Sequence, residues 1–371
     1  MSRFRRTAVL LGASFVIIAG CGSDKATSKP TTASAPSTAS AGPTAASPGP
    51  TAASSPSGAA GSAGSVVDTS ATGTSATGTS ATGTSAAGTS VAGVAYSVRA
   101  ANGTVTLAAK PVKIVSLSPT HTEMLFAIGA GAQVIAVDNQ SNYPAGAVAV
   151  KSDLSGFTPN VEAIAGYKPD LVVVGDDTNN ALTSQLGALK IPVWSGPAAT
   201  SLDDVYTEIE QLGVLTGHIA ESTKLVADMH SDIKSILAEV PQSGTPLTYY
   251  HELDPTYFST RSTTFIGQIY SLAGLHNIAD GAAAGNDYPQ LNSEFIVSAK
   301  PQLIFLADTK CCGQTPATVA ARDGWSDIPA VKNRGVIAMD DDIASRWGPR
   351  VVDYLRAVVA AVKTAAQVPA G

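Results

Sequence analysis

NVEAIAGYKPDLVVVGD (residues 160–176) and NSEFIVSAKPQLIFLAD (residues 292–308) are one unit written twice. Seven of the seventeen positions are identical: Asn, Glu, Ile, Lys, Pro, Leu and a closing Asp. In each copy the Asn caps a short helix, and Lys-Pro ends it because proline cannot continue a helix. An apolar run of about five residues then stops at Asp176 or Asp308, the pattern of a buried parallel strand. A solenoid needs about three or more copies, so one duplication predicts two similar α/β lobes. Two lobes imply a cleft, and clefts between domains are favoured ligand sites.

Upstream of the first copy the chain is of another kind. Arg3, Arg5 and Arg6 precede an apolar stretch, Ala8 to Ile18, too short to span a bilayer and shaped like a secretory signal. It closes on Ile18-Ala19-Gly20-Cys21, a lipobox, so residues 1–21 read as a lipoprotein signal with Cys21 the lipidated residue. Residues 22–93 are dominated by Ser, Thr, Ala, Gly and Pro, and contain SATGT three times followed by SAAGT. With almost nothing large and apolar to bury, this segment is expected to be a disordered tether. A flexible run of about 70 residues reaches roughly 45–50 Å. The protein is therefore expected outside the cytoplasm, held to the outer face of the membrane by the acyl chains on Cys21. A net charge of −6 argues against nucleic acid as a partner.

The remainder divides into an N-terminal lobe (94–217), a linking helix (218–241) and a C-terminal lobe (242–371). Asn102-Gly103 between short β-prone runs predicts a hairpin. Thr120 and Glu123 carry the spacing of a capping box opening a helix Glu123–Ile128. Leu225, Met229, Ile233, Ile236 and Leu237 recur at helical spacing and predict one long helix from about Ile219 to Val240. A single stiff helix between lobes limits hinge opening.

KIVSLSPTHTEMLFAIGAG (113–131), Asn142-Tyr143-Pro144, both repeat units, TYFSTRSTTFIGQIYSLAGLHNI (256–278), DYPQL (287–291) and DDIASRWGPR (341–350) follow one another across almost all of 112–362. In that order the chain resembles the substrate-binding lipoproteins of ABC importers for vitamin B12, haem and ferric siderophores, and most closely the cobalamin-binding branch. The resemblance implies an α/β fold of class III periplasmic-binding-protein type: two Rossmann-like lobes joined by one long interdomain helix. It implies a monomeric receptor with no intrinsic cofactor and no catalytic residue. Such a receptor delivers a metal-chelate ligand to an ABC permease dimer with a cytoplasmic ATPase. It carries permease docking onto Glu162 and Glu294, the shared Glu of the repeat, and ligand contact onto Phe157, Phe258, Tyr288, Asp342 and Arg346. Phe157, Gly175 and Tyr288 stand where those receptors carry more tryptophan, which widens the expected ligand to a corrinoid or a ferric siderophore.

The residues also speak for themselves. In open α/β sheets ligands bind beyond the carboxyl ends of the strands, which brings Tyr143, His251, Tyr257 and Trp347 into the cleft set. Aromatic faces suit a flat macrocycle, and Arg with Asp suits polar groups on its fringe. A different reading is a bare Zn, Mn or Fe receptor, with His121, Asp176, His251 and Asp342 arriving from four loops as ligands. Less favoured is an extracytoplasmic metallohydrolase using His121, His251 and Asp342; no His-Glu-x-x-His and no Walker lysine is present, and Gly-x-Ser-x-Gly is absent outside the tether. Cys311 and Cys312 are adjacent in an exported chain, where a strained vicinal disulfide, a metal- or redox-active thiol pair and an idle buried pair all remain open.

Overall fold

The computed structural model describes residues 96–242, 244–282 and 285–367. The signal, Cys21 and the tether lie outside these residues. An antiparallel hairpin, β1 (Tyr96–Ala100) and β2 (Gly103–Leu107), opens the described chain and turns at Ala101-Asn102, as Asn102-Gly103 leads one to expect.

The N-terminal lobe holds β3 (Ile114–Ser116), α1 (Pro119–Ala127), β4 (Val134–Val137), α2 (Ala145–Val148), α3 (Val161–Gly166), β5 (Leu171–Val174), α4 (Ala181–Ala188) and β6 (Val193–Ser195). Then come α5 (Leu202–Thr216) and the linking helix α6 (Ile219–Leu237), parted at Gly217, whose φ of 70° is the left-handed conformation a glycine C-cap supplies. The C-terminal lobe holds β7 (Thr248–Glu252), α7 (Phe265–Leu272), β8 (His276–Asn277), α8 (Ser293–Ala299), β9 (Leu303–Leu306), α9 (Thr309–Cys312), α10 (Pro316–Ala320), α11 (Pro329–Lys332), β10 (Val336–Ala338), α12 (Asp341–Ser345) and α13 (Val351–Ala366).

Each lobe carries a four-stranded sheet, β4-β3-β5-β6 and β8-β7-β9-β10, and every pairing in both is parallel. The two orders are one order: the lobe's first strand lies inside, its second on one flank, and the repeat strand on the other. Because all strands of a lobe run the same way, their carboxyl ends share one edge. Asn160 and Asn292 do cap the paired helices, accepting from Ala163 N at 2.9 Å and Phe295 N at 2.8 Å. Lys168 and Lys300 both turn the chain at left-handed φ, 52° and 49°, just before the shared proline. β5 and β9 are buried along their whole length.

One apolar cluster runs through both lobes, from Ile114, Leu171 and Trp194, through Leu212 of α5 and Met229 of α6, to Ile269, Phe305 and Val358. The lobes therefore share core, and α6 is packed rather than free.

The capping box does not form. α1 begins at Pro119, with Ser118 as its N-cap and no side chain closing the end, so Glu123 lies inside the helix and its carboxylate is used elsewhere. Proline at the first helical position needs no N–H partner, and that signal outranks the Thr-x-x-Glu spacing.

The two Asn caps have equal jobs in separate lobes. Asn160→Ala and Asn292→Ala should each lower the unfolding free energy by about 1 kcal/mol, and the double variant by about 2, measured by urea denaturation.

Candidate ligand-binding cleft

At the carboxyl edge of the N-terminal sheet, Leu117–Thr120 after β3, Asp138 after β4 and Gly175–Thr178 after β5 surround a cavity of about 660 Å³. Gly156, Phe157 and Pro159 close one side, and the C-terminal lobe completes it with Ser345 and Trp347. A side chain at Gly156 would run into the carbonyl of Leu117, so the 155–159 loop can lie this close to β3 only with glycine there. Phe157 is 88% exposed and presents an aromatic face.

The three charged residues of this lining are all acidic: Asp138, Asp176 and Asp177. Asp177 is spent on the start of α4, accepting from Leu182 N and Thr183 N, each at 2.8 Å. Asp176 is exposed and accepts only a local bond from Thr178 Oγ1, at 2.8 Å, among the described residues. Asp138 is buried at the floor, where Oδ1 accepts from Gln140 N (2.9 Å) and Ser141 N (2.7 Å). Burial raises its pKa, opposed by those bonds and by the charge on Arg346.

Trp347 spans the lobes: its Nε1 donates to Glu208 Oε2 of α5 at 3.0 Å. The same oxygen lies 3.2 Å from His121 Nε2, and His121 Nδ1 lies 2.8 Å from Ser118 Oγ.

Among the residues expected at the ligand, the structure brings Phe157 and Trp347 to this lining. Phe258 and Tyr288 are 36% and 48% exposed on loops of the C-terminal lobe, outside the lining. Tyr257 turns toward the core, stacked on Trp325 with centroids 5.9 Å apart. Tyr143, before a cis Pro144, lies under the Arg350 guanidinium at 4.3 Å. Asp342 and Arg346 are taken up by protein: Arg346 Nη2 donates to Asp342 Oδ1 at 2.7 Å, and Lys310 Nζ to Asp342 Oδ2 at 2.8 Å. Despite a burial that opposes it, Lys310, Arg346 and Asn142 hold the Asp342 pKa below the usual value.

His251 corrects an expectation. It is wholly buried, with Nδ1 2.8 Å from the Tyr270 hydroxyl, and burial pulls its pKa down to about 3, so it is a neutral core residue. The four-residue metal site fails with it. His121 is also buried with both ring nitrogens engaged, Asp176 faces the N-terminal cavity, and Asp342 is ion-paired. Among the described residues no group of three or more His, Cys, Asp or Glu side chains could hold a metal ion. Sequence position places these residues at strand ends but does not tell which way each side chain turns.

Glu162 and Glu294 are exposed in the first turns of α3 and α8 and are not part of the cavity lining, although Val161 beside Glu162 is. Cys311 and Cys312 are joined as a disulfide on exposed α9, whose N-terminal amides are held by the Asp341 carboxylate.

Two groups went unread in the sequence. Glu123, Arg346 and Arg350 form an ion cluster between the lobes, although both arginines stand in the quoted DDIASRWGPR. Inside the C-terminal lobe, Arg322 pairs with buried Glu252 through two bonds of 2.6 Å and covers Trp325 at 4.6 Å. Asp308 beside them is inaccessible, with neither carboxylate oxygen hydrogen-bonded among the described residues. Burial, then the Glu252 charge, raises its pKa to about 7.

The profile of the family described as Periplasmic binding protein matches residues 114–343. A Bacillus subtilis protein described as an uncharacterized ABC transporter substrate-binding lipoprotein, YvrC, is 32% identical over 261 residues, 68% of this chain and 81% of that protein. A cobalamin-binding protein of Halobacterium salinarum is 30% identical over 68% of this chain and 70% of its own length. Among solved structures, the periplasmic vitamin B12-binding protein BtuF of Vibrio cholerae superposes with a TM-score of 0.58 at 24% identity, over 70% of this chain and 99% of that one.

The Asp308 proton gives a pH test. Folded, the acid keeps its proton up to about pH 7; unfolded, it loses it near the ordinary aspartate value of 3.8. Raising the pH between these values favours the unfolded chain, because there the folded state holds a proton that the unfolded state has released. The stability of wild type minus that of Asp308→Asn should therefore fall from about pH 4 to 7 and level off above. Chemical denaturation across that range measures it, and a flat difference would refute the assignment.

Proposed function

The chain belongs to the periplasmic binding protein family, and on that premise we propose that it is the receptor of an ABC importer that captures a metal chelate, a corrinoid, between its lobes. The observation that carries the reading is the cavity itself. At about 660 Å³ it has the volume of a small-molecule site, with Phe157 and Trp347 as aromatic faces. Its exposed and buried carboxylates, Asp176 and Asp138, accept hydrogen bonds and repel anions. A corrinoid rim rich in amide N–H groups suits such a lining better than an anionic ferric siderophore or the propionates of haem. Relatives named as cobalamin-binding support the same choice.

In this reading the protein binds and releases its cargo unchanged and is not an enzyme. It acts as a monomer, anchored through acylated Cys21 and the 22–93 tether to the outer face of the cytoplasmic membrane. Phe258 and Tyr288, exposed on the C-terminal lobe, meet the part of the ligand that projects from the cavity.

A thermal-shift panel of cyanocobalamin, haem, a ferric siderophore, Zn and Mn tests the ligand. At about 100 Kd the bound form gains about 2.7 kcal/mol, a rise in Tm of several degrees. Cyanocobalamin should give that rise and quench Trp347 emission. A shift with Zn or Mn alone would overturn the corrinoid reading, and a shift with the ferric siderophore alone would reverse the order of preference.

Glu162 and Glu294 occupy the same place on two copies of one unit, both exposed, and equivalent patches are what a twofold permease can meet. We read them as the docking pair. Glu162→Ala with Glu294→Ala should leave ligand affinity within experimental error and weaken uptake in cells carrying the cognate importer by more than tenfold. Normal uptake by the double variant would reduce both to partners of the helix dipole.

A further inference from the structure

Glu123 is a buried acid at the lobe boundary. Its side chain is 2% exposed, on α1 of the N-terminal lobe, and its two partners are Arg346 and Arg350 of the C-terminal lobe. Arg346 Nη1 donates to Oε1 at 2.7 Å, Arg350 Nε to Oε2 at 2.7 Å, and Arg350 Nη2 to Oε1 at 2.5 Å. Both arginines are themselves largely buried, at 11% and 15% exposed. The 140–144 turn of the N-terminal lobe adds to the grip: Arg346 Nη1 donates to Asn142 Oδ1 at 2.8 Å, Asn142 Nδ2 to Asp342 Oδ2 at 3.1 Å, and Tyr143 lies beneath Arg350.

Between the two arginines sits Trp347, which lines the ligand cavity while Glu123, Arg346 and Arg350 do not. The chain is thus pinned on either side of the indole to a single carboxylate. Removing that carboxylate leaves Arg350 with no acid partner and Arg346 with only Asp342 and Asn142, so the hold on residues 346–350 from the N-terminal lobe loses its charged centre.

We propose that Glu123 is a positioning residue for ligand capture: by holding Arg346 and Arg350 it keeps the Trp347 indole in place as the second aromatic wall of the cavity. The inference rests on the receptor reading only for the identity of what binds there. Affinity then depends on a carboxylate that never touches the ligand.

Trp194 and Trp325 are fully buried, so acrylamide quenching of the ligand-free protein reports chiefly on Trp347, and subtracting the Trp347→Phe protein isolates it. Glu123→Gln should at least double that quenching and weaken cyanocobalamin binding about tenfold or more. Trp347→Phe should weaken binding comparably, and Glu123→Gln added to it should cost little further, because both act through one ring. Should Glu123→Gln fail to fold, Arg350→Met leaves the Glu123–Arg346 pair in place and gives the same readings in smaller measure. Unchanged Trp347 quenching in a folded variant overturns the proposal, as does a full additional loss of affinity on top of Trp347→Phe. If the wild type binds neither cyanocobalamin nor any other probe, the receptor's ligand has been misread. The ligand-free quenching still decides whether Glu123 holds Trp347.

Discussion

A carboxylate stripped of water and faced by two guanidinium groups is unfavourable in pieces and stable only as a set. Removing one partner from such a cluster costs about 3–5 kcal/mol, because the charges left behind stay buried. Glu123 with Arg346 and Arg350 is that set here, and it joins the lobes beside the shared apolar cluster. The second aromatic wall of the cavity, Trp347, stands between its two arginines in the chain, and the 140–144 turn lies against it. Apolar burial holds the lobes together without regard to direction, whereas three charge-assisted hydrogen bonds on two oxygens specify one geometry.

Much of the fold was legible because its signals are local. The caps at Asn160 and Asn292, the Lys-Pro stops and the apolar strands each depend on a few neighbouring residues, and each forms where the letters place it. The duplicated segment also extends outward correctly, since the lobes repeat one strand order. The error at α1 has the same local origin. Two start signals overlap within Pro119–Glu123, and the capping box lost to proline.

The site was less legible, since strand-end position says where a side chain begins and not where it points. His121 and His251 each follow or end the first strand of a lobe, yet both turn inward, to Ser118 with Glu208 and to Tyr270. Arg346, expected at the ligand from the family resemblance, is paired with Asp342 four positions before it and with Glu123, whose distance in sequence hid that contact. Asp138 carried no motif at all; only the closing of the sheet brings it to the cavity floor.

The duplication has a consequence for how cargo is handed over. Outside, the two copies keep one feature alike: Glu162 and Glu294 sit on matching first turns of α3 and α8. Inside, they have diverged, and the closing Asp of the repeat shows it, as Asp176 opens onto the cavity while Asp308 is sealed beside Glu252 and Arg322. A ligand therefore meets a handed interior and has one pose within it. A partner with true twofold symmetry would meet these two carboxylates in equivalent places after half a turn. On the proposed docking reading, such a partner would find the same carboxylate in the same place whichever way round the receptor sat, while the ligand inside would point the opposite way.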